Sequence, residues 1–417
     1  MNTRDSEFVM GIMLENGFKQ ASSIEKSDIV IFNSCSVRQH AENRLFSNIA
    51  ELKDIKKKRP GFIIGLMGCA AQSYKEKALE RAPLADFICG PGDEYELPRI
   101  VKDILENRCS IVATGKMNEK RPEMFPKYRE GSFKSYVSIG EGCNNFCSYC
   151  IVPYVRGRER SRESKDIIRE VKDLAARGFK EITLLGQNVN SYHGFINLLE
   201  LLNKIKGIER IRFMTSHPKD ASIELFKAMR DLENVCEHLH LPAQSGSTRI
   251  LRLMNRKYTK DHYLKLAEGY KKILPAGAIT TDIIVGFPSE TAKDFKDTMD
   301  LVEKIKFDSA YTFKYSPRPP AKSARLKDNV ANGTKSERLT ALMEAQARIS
   351  EERNAVLLGK VCEVLVDGYN SKDPSRLIGR TRTNKVIVFT GNKTLIGKIV
   401  NVRIESVAPY ALKGKIV

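Results

Sequence analysis

Hydrophobic and polar positions alternate differently in three regions of the chain. In the first region, the apolar runs Ile29 to Phe32 and Phe62 to Met67 are typical of buried parallel strands. Helical patterns follow them, from Gln39 to Lys58 and from Tyr74 to Arg81. This repeat predicts an open parallel α/β sheet over residues 1–118.

The middle region, residues 132–336, alternates strand and helix patterns six times. Six units are too few to close an eight-stranded barrel, so we predict an open, partial (β/α)6 barrel with functional residues at the carboxyl ends of its strands. Glu119 to Ser132, rich in Lys, Arg, Pro and Glu, is predicted to be a linker. The predicted strands are Tyr136 to Ile139, Glu181 to Leu185, Ile211 to Thr215, His238 to Leu241, Ala278 to Val285 and Ser309 to Tyr315.

A helix predicted over residues 337–358 leads to a last region, 359–417, of short strands and turns. Four or five such strands predict a small β-barrel of the oligonucleotide-binding type. Eleven Lys and Arg residues stand there against four Asp and Glu residues, which favours an RNA partner over a merely solvated face. Because this region is separate from the middle one, its removal is expected to weaken RNA binding and spare the chemistry of the middle region.

Composition narrows the class of protein. The 417 residues include 70 Lys and Arg against 51 Asp and Glu, a net charge of +19, which favours a polyanionic partner, although excess lysine also serves solubility. No apolar run approaches the roughly 18 residues that span a bilayer, so we expect a cytoplasmic protein with no membrane partner. Nine cysteines, an odd number concentrated at strand ends, indicate metal binding in a reducing compartment and not disulfides.

Cys143, Cys147 and Cys150 form a CxxxCxxC triplet after a predicted strand. Three thiolates can hold three irons of a four-iron cluster, which leaves the fourth iron open for a substrate. A zinc site is the alternative. It needs four ligands, and neither Cys89 and Cys109 upstream nor Cys236 downstream offers a matching CxxC or His pair.

Two further cysteines follow the strands of the first region. Because the carboxyl ends of parallel strands share one edge, Cys35 and Cys69 are expected to meet there, although either alone is more often a buried small residue. Cys89 is a weaker third candidate, and Cys109 and Cys236 are expected to be packing residues.

Polar and glycine residues also cluster at the strand ends of the middle region, where any single one is explained by a turn. Six consecutive ends are hard to explain by packing. Besides the cysteine triplet, the runs are Gly186-Gln187-Asn188, Ser216-His217-Pro218, Pro242 to Gly246, Gly286-Phe287-Pro288 and Ser316-Pro317-Arg318.

Together these motifs and their order resemble the methylthiotransferase branch of the radical S-adenosylmethionine (SAM) enzymes. In that family a cluster domain precedes the radical SAM barrel, and a TRAM domain that binds RNA follows it. The resemblance covers nearly the whole chain and separates it from the related enzyme that modifies a ribosomal protein. Besides the triplet, the runs that carry it are Asn33 to Arg38, Met67 to Gln72, Arg156 to Arg162, Leu184 to Tyr192 and Thr215 to Pro218.

The resemblance implies a tRNA methylthiotransferase that converts N6-isopentenyladenosine beside the anticodon to its 2-methylthio derivative. One alternative is methylthiolation of threonylcarbamoyladenosine, which Ser36-Val37-Arg38 disfavours. Another is an inactive RNA-binding iron–sulfur protein, which the intact triplet disfavours. The implied partners are tRNA, an electron donor such as a flavodoxin or ferredoxin, and a sulfur donor.

Residue roles follow from the same resemblance. The triplet would bind a [4Fe-4S] cluster whose open iron chelates SAM, and Cys35 and Cys69 would bind a second [4Fe-4S] cluster that carries the sulfur. Glu159 leaves a structural ion-pair role open for the arginines beside it. The expected SAM contacts are Gly186, Gln187, Gln244, Ile283 and Gly286. The expected phosphate contacts are Arg156, Arg158, Arg160 and Arg162.

One departure concerns the second cluster. The family's first domain opens with Gly-Cys before Met-Asn and Asp-Ser-Glu, whereas this sequence opens with Met1-Asn2 and continues with Asp5-Ser6-Glu7. Either the start lies at an internal methionine, which we prefer, or an N-terminal strand has been lost. The complete enzyme is expected to hold two clusters, and this sequence keeps only Cys35 and Cys69 of the three ligands of the second.

Overall fold

The structure is a computed structural model that describes residues 1–36, 39–115 and 125–417. Contacts divide the chain into two compact units. The predicted boundary at residue 118, the linker start at Glu119, and Val37 and Arg38 lie outside the described residues. The first unit comprises Met1–Glu130, Gly140–Arg162 and Ser316–Ala324; the second comprises Gly131–Ile139, Glu163–Tyr315 and Arg325–Val417.

A four-stranded parallel sheet, in the order β1-β2-β3-β4, forms the centre of the first unit. Every residue of the second strand is buried, which explains its unbroken apolar run. The helix predicted from Gln39 to Lys58 is two helices, because Leu52 turns into the core between them. The strands are β1 (Ile29–Ser34), β2 (Ile63–Gly68), β3 (Phe87–Cys89) and β4 (Ile111–Ala113). The helices are α1 (Asn2–Glu15), α2 (Gln39–Ala50), α3 (Lys53–Lys58), α4 (Cys69–Tyr74), α5 (Lys77–Arg81) and α6 (Leu97–Asn107).

After β5 (Lys134–Ser138), which belongs to the second unit, the chain contributes a loop to the first unit. This loop starts with β6 (Gly140–Glu141), passes through the short helix α7 (Val152–Val155) and returns as β7 (Arg160–Ser161). Strands β6 and β7 pair in antiparallel fashion, so the two ends of the loop are tied together.

The second unit is built on six parallel strands in two groups, β5-β8-β9 and β10-β11-β12, joined by a bridge between Ile211 and Val235. Among the described strands, β5 and β12 do not pair with each other, so the predicted open barrel is confirmed. The predicted strand boundaries are right to within two residues. The remaining strands are β8 (Glu181–Leu185), β9 (Arg210–Phe213), β10 (His238–His240), β11 (Ala278–Val285) and β12 (Ser309–Lys314).

Amphipathic helices cover the outside of this sheet. On the first of them Ile167, Val171 and Leu174, one face at helical spacing, enter the main core. The last helix begins at Asn332, earlier than the predicted residue 337. The helices are α8 (Ser164–Ala176), α9 (Phe195–Asn203), α10 (Ile223–Asp231), α11 (Thr248–Leu253), α12 (Lys260–Ile273), α13 (Ala292–Ile305) and α14 (Asn332–Ala355).

The last five strands close a barrel in the order β13-β14-β15-β17-β16, as predicted. The strand predicted from Leu395 to Val402 starts later, because a turn at Gly397 (φ +78°) precedes it. Within the described residues, no helix is long and apolar enough to cross a membrane. The strands are β13 (Val361–Asn370), β14 (Asp373–Thr381), β15 (Val386–Phe389), β16 (Ile399–Val407) and β17 (Leu412–Ile416).

Buried arginines of β9 attach this small barrel to the central sheet within the second unit. Arg210 donates from Nη1 to the carbonyl of Arg380 at 2.7 Å, and Arg212 donates to the carbonyls of Thr381 and Arg382, both at 2.7 Å. The turn between β14 and β15 is therefore held by charge-assisted hydrogen bonds to its main chain.

Candidate active site

The loop that carries the cysteine triplet has a backbone that only particular residues allow. Gly142 has φ +75°, and a Cβ there would lie 2.1 Å from the carbonyl oxygen of Arg158, so only glycine fits. Cys143 donates its N–H to the carbonyl of Gly157 at 3.2 Å. Phe146 has φ +48°, an uncommon conformation for a residue other than glycine and one that clusters at functional sites.

The three thiols of the loop are free of disulfides. Cys147 is buried, while Cys143 and Cys150 are partly exposed. Burial raises the pKa of the Cys143 thiol, and this is opposed by Asn145, which donates from its main-chain N at 3.5 Å and its Nδ2 at 3.4 Å to Sγ. These N–H groups favour a thiolate, the form that binds metal.

The chemistry of three thiols on one loop suits an iron–sulfur cluster. In the described part of the chain, no three Cys, His, Asp or Glu side chains are grouped so that they could hold one metal ion. The cysteines of a four-iron cluster bind separate irons, so they need not converge on one point.

Cys35 and Cys69 lie at equivalent positions on the sheet of the first unit. Ser34 of β1 pairs in register with Gly68 of β2, and each cysteine is the next residue along its strand. Burial raises the pKa of the Cys69 thiol, and the nearby Cys35 contributes in the same direction. The structure thus brings these two cysteines together at the carboxyl edge, where the sequence predicts them.

Cys89, Cys109 and Cys236 differ from this pair in their surroundings, although Cys89 also ends a strand of the sheet. Cys89 is fully buried in the core beneath the sheet, so the third candidate is a packing residue. Cys236 is also buried, as predicted, whereas Cys109 is exposed and the expectation that it packs is wrong.

Arg156 was expected to contact phosphate, and the structure corrects this expectation. Its side chain is 3% exposed, with Nη2 paired to Asp5 and Nε donating to Cys69 Sγ at 3.1 Å. A guanidinium whose donors are used inside the protein cannot be presented to a phosphate. Arg158, in contrast, is exposed, Arg160 lies 3.6 Å from Glu141, and Arg162 is partly exposed.

The cysteine loop and the edge that carries Cys69 share one small hydrophobic cluster. Cys69 packs with Ile151 and Val155, and Ile151 is the residue after Cys150. The two sets of cysteines therefore adjoin inside a single compact unit.

The expected SAM contacts lie in the second unit. Gln187 follows Gly186 at the end of β8, and its buried Oε1 has no hydrogen-bond partner among the described residues. Gln244 has φ +66° and donates its N–H to the carbonyl of Asp282 at 2.8 Å. Ile283 is bridged to Gln244 through the main chain, but its side chain is fully buried in the core.

Gly286 is held in place by packing. It has φ +71°, and a Cβ would lie 2.3 Å from Cγ of Lys335. Its N–H donates to Glu290 Oε1 at 2.9 Å. This N–H is therefore already used, and any ligand contact would be with another part of the turn.

Polar residues at the end of β9 add to this edge of the sheet. Thr215 has φ +73°. Two residues later, His217 is buried and donates its main-chain N–H to Asn188 Oδ1 (3.1 Å) and Asn190 Oδ1 (2.8 Å). Burial and the charge of Arg256 lower the pKa of His217 to about 2, so the ring is neutral. The run Ser216-His217-Pro218 marked this strand end in the sequence, but no role could be read from it.

Comparison with known proteins agrees with this architecture. The chain matches the Radical SAM superfamily over residues 137–302, the TRAM domain over 355–417, and Uncharacterized protein family UPF0004 over 1–90. In fold it is similar to the radical SAM methyltransferase TsrM from Kitasatospora setae, with a TM-score of 0.58 and 12% identity over 78% of this chain and 72% of that one. It is thus a radical SAM protein with a C-terminal TRAM domain.

Full-length relatives narrow the family. The tRNA-2-methylthio-N(6)-dimethylallyladenosine synthase of Thermoanaerobacter sp. (strain X514) is 48% identical across all of this chain and 90% of the relative. Those of Clostridium novyi (strain NT) and Moorella thermoacetica (strain ATCC 39073 / JCM 9320) are 46% and 43% identical, again across all of this chain, and are covered to 94% and 96%. The chain belongs to the tRNA-2-methylthio-N(6)-dimethylallyladenosine synthase family, which confirms the resemblance to the methylthiotransferases.

Proposed function

We propose that this protein methylthiolates N6-isopentenyladenosine (dimethylallyladenosine) beside the anticodon of tRNA, using SAM and iron–sulfur chemistry. The full-length similarity to synthases named for this product carries the proposal. These names favour isopentenyladenosine over threonylcarbamoyladenosine, and an intact cysteine loop favours an enzyme over an inactive RNA-binding protein.

Cys143, Cys147 and Cys150 would hold the [4Fe-4S] cluster that binds SAM. When bound, the cluster and SAM supply a radical able to remove hydrogen from an unactivated C–H bond, which no acid or base in a protein can do. The chain's contribution is positioning. Gly142 allows the tight turn, and Asn145 aims two N–H groups at Cys143 Sγ.

Cys35 and Cys69 would provide two ligands of a second [4Fe-4S] cluster that carries the sulfur. Arg156 donates to Cys69 Sγ at 3.1 Å and is itself held by Asp5, so we assign Arg156 to positioning this cysteine. Hydrogen bonds to cluster sulfurs are one of the factors that set reduction potential.

Cofactor binding falls to the strand ends of the second unit. Oε1 of Gln187, which has no partner among the described residues, is an acceptor suited to an N–H donor of SAM. Gly186, Gln244 and the main chain from Ile283 to Gly286 would line the remainder of this site.

The RNA is expected to contact the basic residues that face solvent. Arg158, Arg160 and Arg162 remain the candidates beside the cluster loop, and the small barrel with its excess of positive charge offers a second surface. An electron donor such as a flavodoxin or ferredoxin and a sulfur donor complete the proposed reaction.

Matched substrates test the proposal. Two preparations of one tRNA, with and without the isopentenyl group, are incubated anaerobically with the reconstituted protein, and the nucleosides are analysed by mass spectrometry. Product should form on the prenylated tRNA, because the prenyl group can fill an apolar pocket worth on the order of 2 kcal/mol. Equal turnover on both preparations would refute the substrate assignment.

A further inference from the structure

A cavity of about 220 Å³ lies within the second unit, where the central sheet meets the small barrel. It is placed at the amino ends of β10, β11 and β12, away from the carboxyl ends that carry the candidate SAM contacts. From Thr280 at the cavity to Gly286 is six residues along β11, or about 20 Å at about 3.3 Å per residue. The residues that matter for its chemistry are His238, Thr280, Tyr311, Arg380, Lys385 and Tyr410.

His238 gives the cavity a buried acceptor. The side chain is 3% exposed, and its Nδ1 has no hydrogen-bond partner among the described residues. Thr280 Oγ1 lies 2.9 Å from His238 Nε2 and 3.0 Å from His240 Nδ1, and its one proton can serve only one ring.

The carboxylate of Asp282 decides between the two proton arrangements. It lies 3.6 Å from Nε2 of His240 and favours a proton on that nitrogen, which leaves His240 Nδ1 to accept from Thr280. His238 must then donate from Nε2 to Thr280, so Nδ1 of His238 carries a lone pair. A buried lone pair of this kind suits an N–H donor from a ligand.

Aromatic and cationic side chains stand at the cavity as well. Tyr410 is 70% exposed and Tyr311 is 49% exposed. Lys385 is bound to Asp308 and Asn354, both at 2.8 Å. Arg380 has only longer contacts, 3.5 Å to Asp367 and 3.4 Å to Asn384, so its guanidinium can turn towards a ligand.

We propose that this cavity binds one unstacked nucleotide of the RNA substrate, at a distance from the adenosine that reacts. The proposal rests on the proposed function, because it takes tRNA as the partner. A volume of 220 Å³ is below the roughly 300–1,000 Å³ of pockets for drug-sized ligands and suits a single base. Tyrosine faces stack on bases of any sequence, His238 Nδ1 accepts from a base N–H, and Arg380 meets the phosphate.

Two pairs of matched variants test this site. Tyr410→Ala removes the exposed ring at the cavity, and Tyr369→Ala removes a ring that is 51% exposed elsewhere on the small barrel. Arg380→Ala is matched by Arg376→Ala, which lies four residues earlier on the same strand, β14. The two side chains are 40% and 41% exposed. All four side chains are at the surface, so the variants should fold.

Binding is measured by fluorescence anisotropy with a prenylated anticodon stem-loop RNA and the full chain. Tyr410→Ala should weaken binding by about 5- to 100-fold, as expected for one lost base–ring stack. Arg380→Ala should lower the slope of log affinity against log salt by about 0.7. Tyr369→Ala should bind like the wild type, and Arg376→Ala, which removes one positive charge from the same barrel outside the cavity, should lower the salt slope by less than Arg380→Ala does. Affinities for Tyr410→Ala and Tyr369→Ala that agree within twofold would refute the site.

Two further arms separate the sources of failure. Adenosine monophosphate, used as a competitor, should displace the RNA only weakly; tight binding of this mononucleotide that RNA does not displace would mean that the cavity serves a free nucleotide, which overturns the proposal. Failure of the proposed function would appear in the wild type, as absence of methylthiolated product. Failure of the cavity proposal would appear only in the variants.

Discussion

Arg382 of the small barrel donates hydrogen bonds to both carboxylate oxygens of Glu237 beside the central sheet, from Nε to Oε2 at 2.9 Å and from Nη2 to Oε1 at 2.7 Å. Such a two-point contact fixes direction as well as distance. Together with Arg210 and Arg212, it makes the small barrel a structural part of the second unit.

The strength of this contact can be measured by a double-mutant cycle. Arg382→Ala and Glu237→Ala should each lower the free energy of unfolding, and their combined effect should be smaller than the sum by about 1 kcal/mol, because either change alone removes the same contact. Urea denaturation followed by circular dichroism gives the values. Strict additivity would show that the pair contributes nothing.

Removal of residues 359–417 should therefore do more than weaken RNA binding. The buried side chains of Arg210 and Arg212 would lose the carbonyls that they bond, which leaves two charges without those partners. We expect a lower melting temperature and reduced SAM cleavage in the truncated protein, contrary to the expectation from sequence. Cleavage and melting temperature equal to those of the full chain would support independent domains.

Cysteine variants test the cluster assignment. Cys147→Ala should abolish formation of 5′-deoxyadenosine, because a cluster with two cysteine ligands from the triplet lacks its full ligand set. Cys109→Ala is the control, since this thiol is exposed and outside both sets of cysteines. The amount of 5′-deoxyadenosine that each variant forms is measured by liquid chromatography. Reductive cleavage by Cys147→Ala at the wild-type rate would disprove the assignment.

Substitution by glutamine should lower stability at Arg156 and lower the salt dependence of RNA binding at Arg158. Arg156→Gln leaves the buried carboxylate of Asp5 unpaired, at a cost of about 3 kcal/mol or more, and should leave the salt dependence of RNA binding unchanged. Arg158→Gln should leave stability unchanged and lower that dependence by about 0.7 to 0.9. Denaturation and salt titration of both proteins provide the comparison. A changed salt slope for Arg156→Gln would restore its role as a phosphate contact.

Buried His217 should make the protein sensitive to mild acid. Its pKa is lowered to about 2, so below about pH 6.5 the unfolded chain takes up a proton that the folded chain does not. The free energy of unfolding should fall by about 1.4 kcal/mol per pH unit from this group as the pH drops below about 6.5. Urea denaturation from about pH 7.5 to about pH 5 should show a shallower pH dependence for His217→Gln than for the wild type. The exposed His193→Gln variant is the control, and identical slopes for wild type and His217→Gln would contradict the prediction.

Sequence reasoning succeeded where periodicity and parallel-strand geometry decide the outcome. Cys35 and Cys69 meet because equivalent strand ends share an edge, a rule that needs no coordinates. It failed for Arg156, because the spacing of four arginines does not reveal that one of them bonds a cysteine 87 residues earlier. Sequence also does not reveal why residue 286 must be glycine, since Lys335, which packs against it, comes from a helix distant in sequence.

The hydrophobic cluster around Cys69 limits how the cysteine loop can be transferred to another protein. Ile151 and Val155 pack against Cys69, the first residue of α4 after strand β2, so the loop is not an independent module of the barrel. A chimera that combines the central barrel with a foreign N-terminal domain would expose these side chains and loosen the turn that follows Cys150. Grafting this chemistry onto another protein therefore requires the strand that ends at Gly68 to be transferred with the loop.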